Sequence, residues 1–312
     1  MTKPPASSSS SPAPDRADRL PSRVGEALAK LLAEPLAPGL YIVSTPIGNL
    51  ADISLRALSL LARADLVFCE DTRHTRKLLS HFGIRAELEA YHEHNAGRER
   101  PRILARLQAG FSVALVADAG TPLISDPGYK LVRAALDQGL AGTSVPGPTA
   151  AIAALTLAGL PTDQFCFEGF LPPKQGARRK RLEALAAVPA TLVFYEAPSR
   201  LEAALRDMAE ILGAREGAVV KELTKLHERV ARGPLETLAD RVGDELVAKG
   251  EFVVLAGPPE AAQVTDQAID AALAGAMDGQ SLRDAARDVA EALGVSRNRV
   301  YALALARRDA AG

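Results

Sequence analysis

Short apolar runs alternating with helical stretches constrain this chain's fold more than any other feature. The strand-like runs 40–43, 65–68, 112–117 and 142–145 alternate with helical patterns at 53–62, 74–82, 99–109, 128–138 and 149–158. The runs are too short for helices, and in the first three apolar residues follow one another instead of alternating with polar ones. That pattern belongs to strands of a parallel sheet buried on both faces by the intervening helices. A second set of runs, 164–170, 190–197, 218–224 and 251–257, is separated by helical stretches 176–187, 199–212 and 236–248. It has fewer strands per residue and predicts a mixed sheet. Gly and Pro break the pattern at 158–163, which marks a boundary.

The expected organisation is therefore a disordered Ser/Pro-rich extension over 1–36, an N-terminal α/β domain over 37–158, a C-terminal α/β domain over 159–260, and a helical tail over 265–312. Within the extension, Val24, Leu28, Leu31 and Leu32 hint at an amphipathic turn and a half before Pro35.

Net charge over the 312 residues is −1, so any nucleic-acid signal must be local. Two cysteines, Cys69 and Cys166, rule out a disulfide framework and suit a reducing cytosol. No apolar run reaches the roughly 18 residues a membrane span needs. The N-terminus carries no apolar signal core. The expected location is the cytoplasm.

Three loops fall where a strand hands over to a helix: STPIGNL (44–50), ADAGTPLISDPG (117–128) and VPGPTAA (145–151). In sheets of this kind, ligands bind at the carboxyl ends of the strands. The first loop has a single glycine, Gly48, and Pro46 removes a donor. It is neither a G-x-G-x-x-G dinucleotide loop nor a P-loop, so the ligand is not held by phosphates. A phosphate-free, positively charged nucleoside such as S-adenosylmethionine fits better. In the second loop, Asp126 and Pro127 read as an N-cap and first helical residue.

The strings TPIGNLADISLRAL, LVFCEDTRHTRKLL, DAGTPLISDPG and VPGPTA, with EGFLPPK, FYEAPSR and KELTKLHE further on, resemble the tetrapyrrole methylase superfamily, and within it the ribosomal RNA branch. The resemblance spans about residues 38–308. It implies two α/β domains with S-adenosylmethionine in the cleft between them, a homodimer, and 2′-O-methylation of a decoding-centre cytidine of 16S rRNA. Tetrapyrrole enzymes carry Gly-Gly-Asp-Pro where this chain has Ala119-Gly120-Thr121-Pro122, and the Thr points toward the RNA branch. By motif matching, the implied cofactor contacts are Ile47, Ala119, Gly120, Thr121, Ile124, Thr149, Ala150, Tyr195, Glu196 and Leu223.

Other motifs admit more than one reading. The acidic pair of CEDTR (69–73) suits a ribose hydroxyl, a helix cap, or the RNA nucleotide. His92 and His94 in YHEHN lack a third ligand of suitable spacing, so an RNA-facing loop is expected and no metal. Lys174, Arg178, Arg179, Lys180 and Arg181 form a local basic run, either a solvated helix face or a phosphate-binding patch, and RNA contact is expected. Residues 281–308 read as a helix–turn–helix, with Ser281 and Asp284 as a capping pair, Gly294 ending the first helix, and Arg297 and Arg299 exposed at the start of the second. Asp118, Asp126, Glu70 and Glu222 are candidate bases, with Lys221 a candidate cation beside an alkoxide. Two alternative readings are a methylase of a tetrapyrrole or other small acceptor, and a non-enzymatic DNA-binding regulator.

Overall fold

The computed structural model describes residues 19–125, 128–243, 249–260, 265–277 and 279–311. The chain forms two compact units, 1–259 and 260–312.

The first unit holds two five-stranded sheets. It begins with α1 (Leu20–Ala33), so within the extension expected to be disordered a helix forms; it rests against α2, and Arg63 Nη1 donates to Glu34 O. The rest of the first half runs β1 (Gly39–Val43), α2 (Leu55–Leu61), β2 (Leu66–Cys69), α3 (Thr72–His81), β3 (Leu88–Ala90), α4 (Ala96–Gln108), β4 (Ser112–Val116), α5 (Tyr129–Asp137) and β5 (Gly142–Val145). All strand pairings are parallel, in the order β3-β2-β4-β1-β5. β2 and β4 are buried throughout, as their continuous apolar sequences require.

Helices α2 and α3 cover one face, where Ala57, Leu60, Leu61 and Leu79 pack on Val43, Val67 and Val116. Helices α4 and α5 cover the other, where Ile103, Leu107 and Leu131 meet Leu40, Phe68 and Leu115. The chain thus moves outward to β3 on one face and returns on the other. The connections of the adjacent strands β4 and β1 leave in opposite directions, which opens a crevice at their carboxyl ends.

The second half contains α6 (Ala150–Ala158), β6 (Phe165–Phe170), α7 (Gln175–Leu185), β7 (Thr191–Glu196), α8 (Leu201–Leu212), β8 (Glu216–Lys221), β9 (Arg229–Pro234), α9 (Leu235–Asp240) and β10 (Phe252–Ala256). The strand order is β6-β7-β10-β8-β9, with β6–β7 parallel and the other pairs antiparallel. Helices α7, α8 and α9 bury one face through Leu182, Leu205, Met208 and Leu238. The other face is covered by α6, whose Ala151, Ala154 and Leu155 pack on Val193, Val220 and Val253. Packing therefore passes to the second sheet at Ala150, earlier than the Gly/Pro break suggested. The expected helix 236–248 ends at Asp240; its residues 244–248 lie outside the described residues.

In the second unit, α10 (Asp266–Ala276), α11 (Leu282–Leu293) and α12 (Arg297–Ala311) enclose Ile269, Leu273, Val289 and Val300. The Ser281 hydroxyl accepts from Asp284 N at 3.2 Å and donates to its carboxylate at 2.6 Å, and Gly294 ends α11 in the left-handed conformation.

Candidate active site

The three expected loops meet because they bond to one another. Thr45 N donates to Gly120 O at 2.9 Å and Gly120 N returns a bond to Thr45 O at 3.1 Å, so the loops after β1 and β4 form a miniature ladder. The Thr121 hydroxyl lies 2.8 Å from Ser44 Oγ, 2.8 Å from Thr149 Oγ1 and 3.2 Å from Pro148 O. One hydroxyl, with a proton and two lone pairs, serves all three neighbours and ties the three loops without adding a charge. Gly48 serves a different contact: a Cβ there would stand 2.6 Å from Lys225 Cγ, so the first loop packs closely on the segment after β8. The lone glycine of STPIGNL is thus a packing site between the halves.

These loops wall one side of a cavity of about 420 Å³, within the ordinary range for a small-molecule site. Ile47 comes from the first loop, Ala119, Gly120, Thr121 and Ile124 from the second, and Thr149 and Ala150 from the start of α6. Across the cavity stand Tyr195 and Glu196 at the end of β7, and Leu223 after β8. All ten residues expected to touch the cofactor line this one space. The sequence reading missed Ser125, Phe170, Ala197, Pro198, Val220 and the run from Gly250 to Val253, which also line it.

Backbone strain concentrates here. Among the described residues, the non-glycine residues with positive φ are Leu123, Ser125, Glu222 and Thr224, at +75°, +63°, +51° and +63°. The first pair brackets Ile124 and the second Leu223, and both bracketed side chains line the cavity. Such conformations persist only where surrounding bonds over-determine them. After β8 these bonds are Thr224 N to Glu228 Oε2 at 2.6 Å, and Glu222 Oε1 receiving both Lys225 Nζ at 2.8 Å and Glu251 N at 3.0 Å.

The cavity's charge is one-sided. Asp118, Glu196 and Glu251 line it, Glu251 paired with Lys225 at 2.9 Å and Glu196 with Arg200, and no Lys, Arg or His lines it among the described residues. Glu196 is buried, which pushes its carboxyl above the usual range, opposed by the Ala197 N–H at 2.8 Å and Arg200 at 2.9 Å. Tyr195 Oη accepts from Ala151 N at 3.3 Å, and Phe170 stands edge-on to the Tyr195 ring. Such a space accepts a cation with an aromatic portion and offers nothing to a pyrophosphate.

Of the candidate bases, Asp118 lines the cavity, and its Oδ1 accepts from Asp71 N at 3.0 Å. Asp126 lies outside the described residues. Glu70 is exposed at the end of β2 and does not line the cavity. Its neighbour Asp71 caps α3 by accepting from Arg73 N at 2.8 Å; the Arg73 guanidinium first, and that backbone bond second, hold its carboxyl down at about 2. Glu222 is engaged by Lys225, and Lys221 lies over the Phe252 ring at 5.9 Å.

The basic run on α7, expected to contact RNA, has its three arginines paired with carboxylates. Arg178 is buried against Asp207 at 2.6 Å, Arg179 bridges Asp207 and Glu210, and Arg181 pairs with Glu168 at 2.6 Å. Lys174 and Lys180 remain exposed. The partners are carboxylates brought in by α8 and β6, which composition along one helix cannot reveal. His92 and His94 sit in the turn after β3 with ring centroids 6.0 Å apart. Among the described residues, no group of three His, Cys, Asp or Glu side chains is arranged to hold a metal. In the second unit, Arg297 is exposed at the start of α12 and Arg299 pairs with Asp266 at 2.6 Å.

The profile of the Tetrapyrrole (Corrin/Porphyrin) Methylases matches residues 39–239, and that of the RsmI C-terminal HTH domain matches 263–308. The chain belongs to the tetrapyrrole methylase family. It is 51% identical over 281 residues to the ribosomal RNA small subunit methyltransferase I of Mesorhizobium japonicum, covering 90% of this chain and 96% of that one. It is 49% identical to the protein of the same name from Escherichia coli O157:H7, covering 85% and 94%. Among solved structures, a cobalt precorrin-4 methyltransferase aligns with a TM-score of 0.54 at 20% identity, over 70% of this chain and 94% of that one. Diphthine synthase aligns at 0.55 and 16%, over 70% and 89%. These two share the fold. The superfamily resemblance carried by the loop motifs, and its ribosomal branch, agree with these findings.

Proposed function

We propose that this chain uses S-adenosylmethionine to methylate the ribose 2′-oxygen of a decoding-centre cytidine in 16S rRNA, working as a cytoplasmic homodimer on the small ribosomal subunit. The observation that carries the reading is the cavity's lining: three carboxylates, aromatic and aliphatic walls, and no cation among the described residues. A uroporphyrin-III C-methyltransferase with a TM-score of 0.50 and 23% identity is described as complexed with S-adenosyl homocysteine. The acceptor follows the relatives named for ribosomal RNA small subunit methylation.

When bound, S-adenosylmethionine supplies a methyl group on a cationic sulfur whose leaving form is a neutral thioether. The chain's own contribution is position and exclusion of water. Gly120 leaves the cavity floor open, Ile124 and Leu223 wall it, and the Ser44–Thr121–Thr149 hydroxyls lock the loops. The carboxylates of Asp118, Glu196 and Glu251 favour positive charge. Asp118, with Oδ1 held by the Asp71 N–H, offers Oδ2 to the proton leaving a 2′-hydroxyl.

Incubation with labelled S-adenosylmethionine and undermethylated small subunits, beside naked 16S RNA, is expected to label one ribose; labelling of a base, or of a porphyrinogen and no RNA, replaces this reading. Asp118→Asn is expected to slow methyl transfer by about 10²–10⁴-fold, well beyond the loss of about tenfold or less in calorimetric cofactor affinity expected from removing one of three carboxylates. An unchanged rate assigns the proton to solvent.

A further inference from the structure

Helix α3 carries an arrangement that its own stability opposes. Its sequence, TRHTRKLLSH, contains no acidic residue. Thr75, Leu78 and Leu79 are buried, and on the opposite side Arg73, Arg76 and Lys77 are exposed. Cations three and four residues apart repel on a helix surface, and cations near a helix N-terminus face the positive end of its dipole. Only Arg73 is compensated, by Asp71 at 2.8 Å; among the described residues neither Arg76 nor Lys77 makes an ion pair. The α7 run shows the alternative, since each of its three arginines has a carboxylate partner. A surface that leaves like charges bundled and unpaired gains by meeting an anion.

The position of this surface says which anion. Strand β2 lies beside β4, so α3 starts at the same carboxyl edge as the cavity loops. The cap residue of α3 donates its N–H to Asp118, a cavity residue. Lys77 lies six residues beyond Asp71, about 9 Å along the axis at ~1.5 Å per residue, within reach of long side chains for a phosphate next to a nucleotide held at the cavity. Resting on the RNA-methylating reading above, we propose that Arg76 and Lys77 of α3 bind backbone phosphates flanking the target nucleotide, and that α3, rather than the carboxylate-paired arginines of α7, is the phosphate track beside the active site.

The test compares Arg76→Ala/Lys77→Ala with Arg23→Ala/Lys30→Ala on α1, whose chain enters β1 at its amino end. Both variants lose two positive charges. The α3 variant is expected to keep or raise the melting temperature, because alanine is the better helix former and the repulsion is gone. Cofactor binding by calorimetry is expected to stay at the wild-type value. KM for small subunits is expected to rise at least about tenfold, and the slope of log affinity for 16S RNA against log salt to flatten by about 1.4–1.8, the share of two phosphate contacts. The α1 variant is expected to match wild type. An unchanged KM and salt slope in the α3 variant, or an equal loss in the α1 variant, overturns the proposal while wild-type RNA methylation stands. Absence of RNA methylation by the wild type removes the parent reading and this inference with it.

Discussion

Gly120→Arg is expected to abolish S-adenosylmethionine binding, read as no saturable heat in calorimetry under conditions where the wild-type chain saturates. Gly120 has φ of +82°, a conformation an L-residue adopts at a cost of about 1–2 kcal/mol. A Cβ there would stand 3.2 Å from Ile47 Cγ2 and 3.6 Å from Pro148 O, so the side chain leaves the backbone toward the cavity wall. Arginine adds bulk and a guanidinium to a space lined by Asp118, Glu196 and Glu251. The added cation takes the place that charge complementarity reserves for the ligand's own. Gly120→Ala separates strain from occupancy: it carries the same backbone cost and leaves most of the volume, so its binding is expected to weaken by about tenfold or less, the equivalent of ~1.4 kcal/mol. Far-UV circular dichroism and a melting curve check that both variants are folded. A folded arginine variant that binds the cofactor with wild-type affinity refutes the site.

That residue was legible in the sequence for a physical reason. Glycine and proline at a strand's carboxyl end mark a backbone held in a special conformation, and three such loops after strands of one parallel sheet converge by topology. The strands β1, β2 and β4 were legible because burial on both faces leaves an apolar run, whereas β5, Gly142–Val145, is an exposed edge strand marked by the Gly/Pro loop that follows it. β3 was not: three half-buried residues, Leu88–Ala90, carry too little pattern at a sheet edge. β9, Arg229–Pro234, is also an edge strand, and its Arg, Gly and Pro residues break any alternation.

The far wall of the cavity was legible only at Tyr195, Glu196 and Leu223, through motif resemblance. Phe252 and Val253 belong to a strand whose sequence reads as ordinary core, and only its neighbours turn them toward a ligand. The strain around Ile124 and Leu223 leaves no sequence signal, because Leu, Ser, Glu and Thr are not the residues a positive φ predicts. On α7, charge density alone suggested a nucleic-acid surface. The carboxylates that pair its three arginines lie 13 to 31 residues away. Conversely, the α3 cations follow the acids of CEDTR, so in the sequence their charge reads as locally balanced.

Asp207→Ala is expected to cost about 3–5 kcal/mol of stability, the usual consequence of leaving a buried charge without its partner. The Arg178 and Asp207 side chains are 6% and 4% exposed, and Asp207 Oδ2 accepts from Arg178 Nε at 2.7 Å and Nη2 at 2.6 Å. Its Oδ1 receives Arg179 Nη1 at 3.1 Å. Removing the carboxylate strands Arg178 between α7 and α8, where water cannot replace the lost bonds. Arg179 keeps Glu210, so the loss falls on the buried guanidinium. In a domain of this size each kcal/mol lowers the melting temperature by about 2–4 °C, so the expected fall is about 6–20 °C. Arg178→Met combined with Asp207→Leu is expected to recover most of that loss, because two apolar side chains of similar volume remove both desolvation costs together. A double variant as unstable as the sum of its single variants would show that the two residues do not act as a pair. Recovery with an unchanged salt slope for RNA binding would show that Arg178 serves the α7–α8 contact alone.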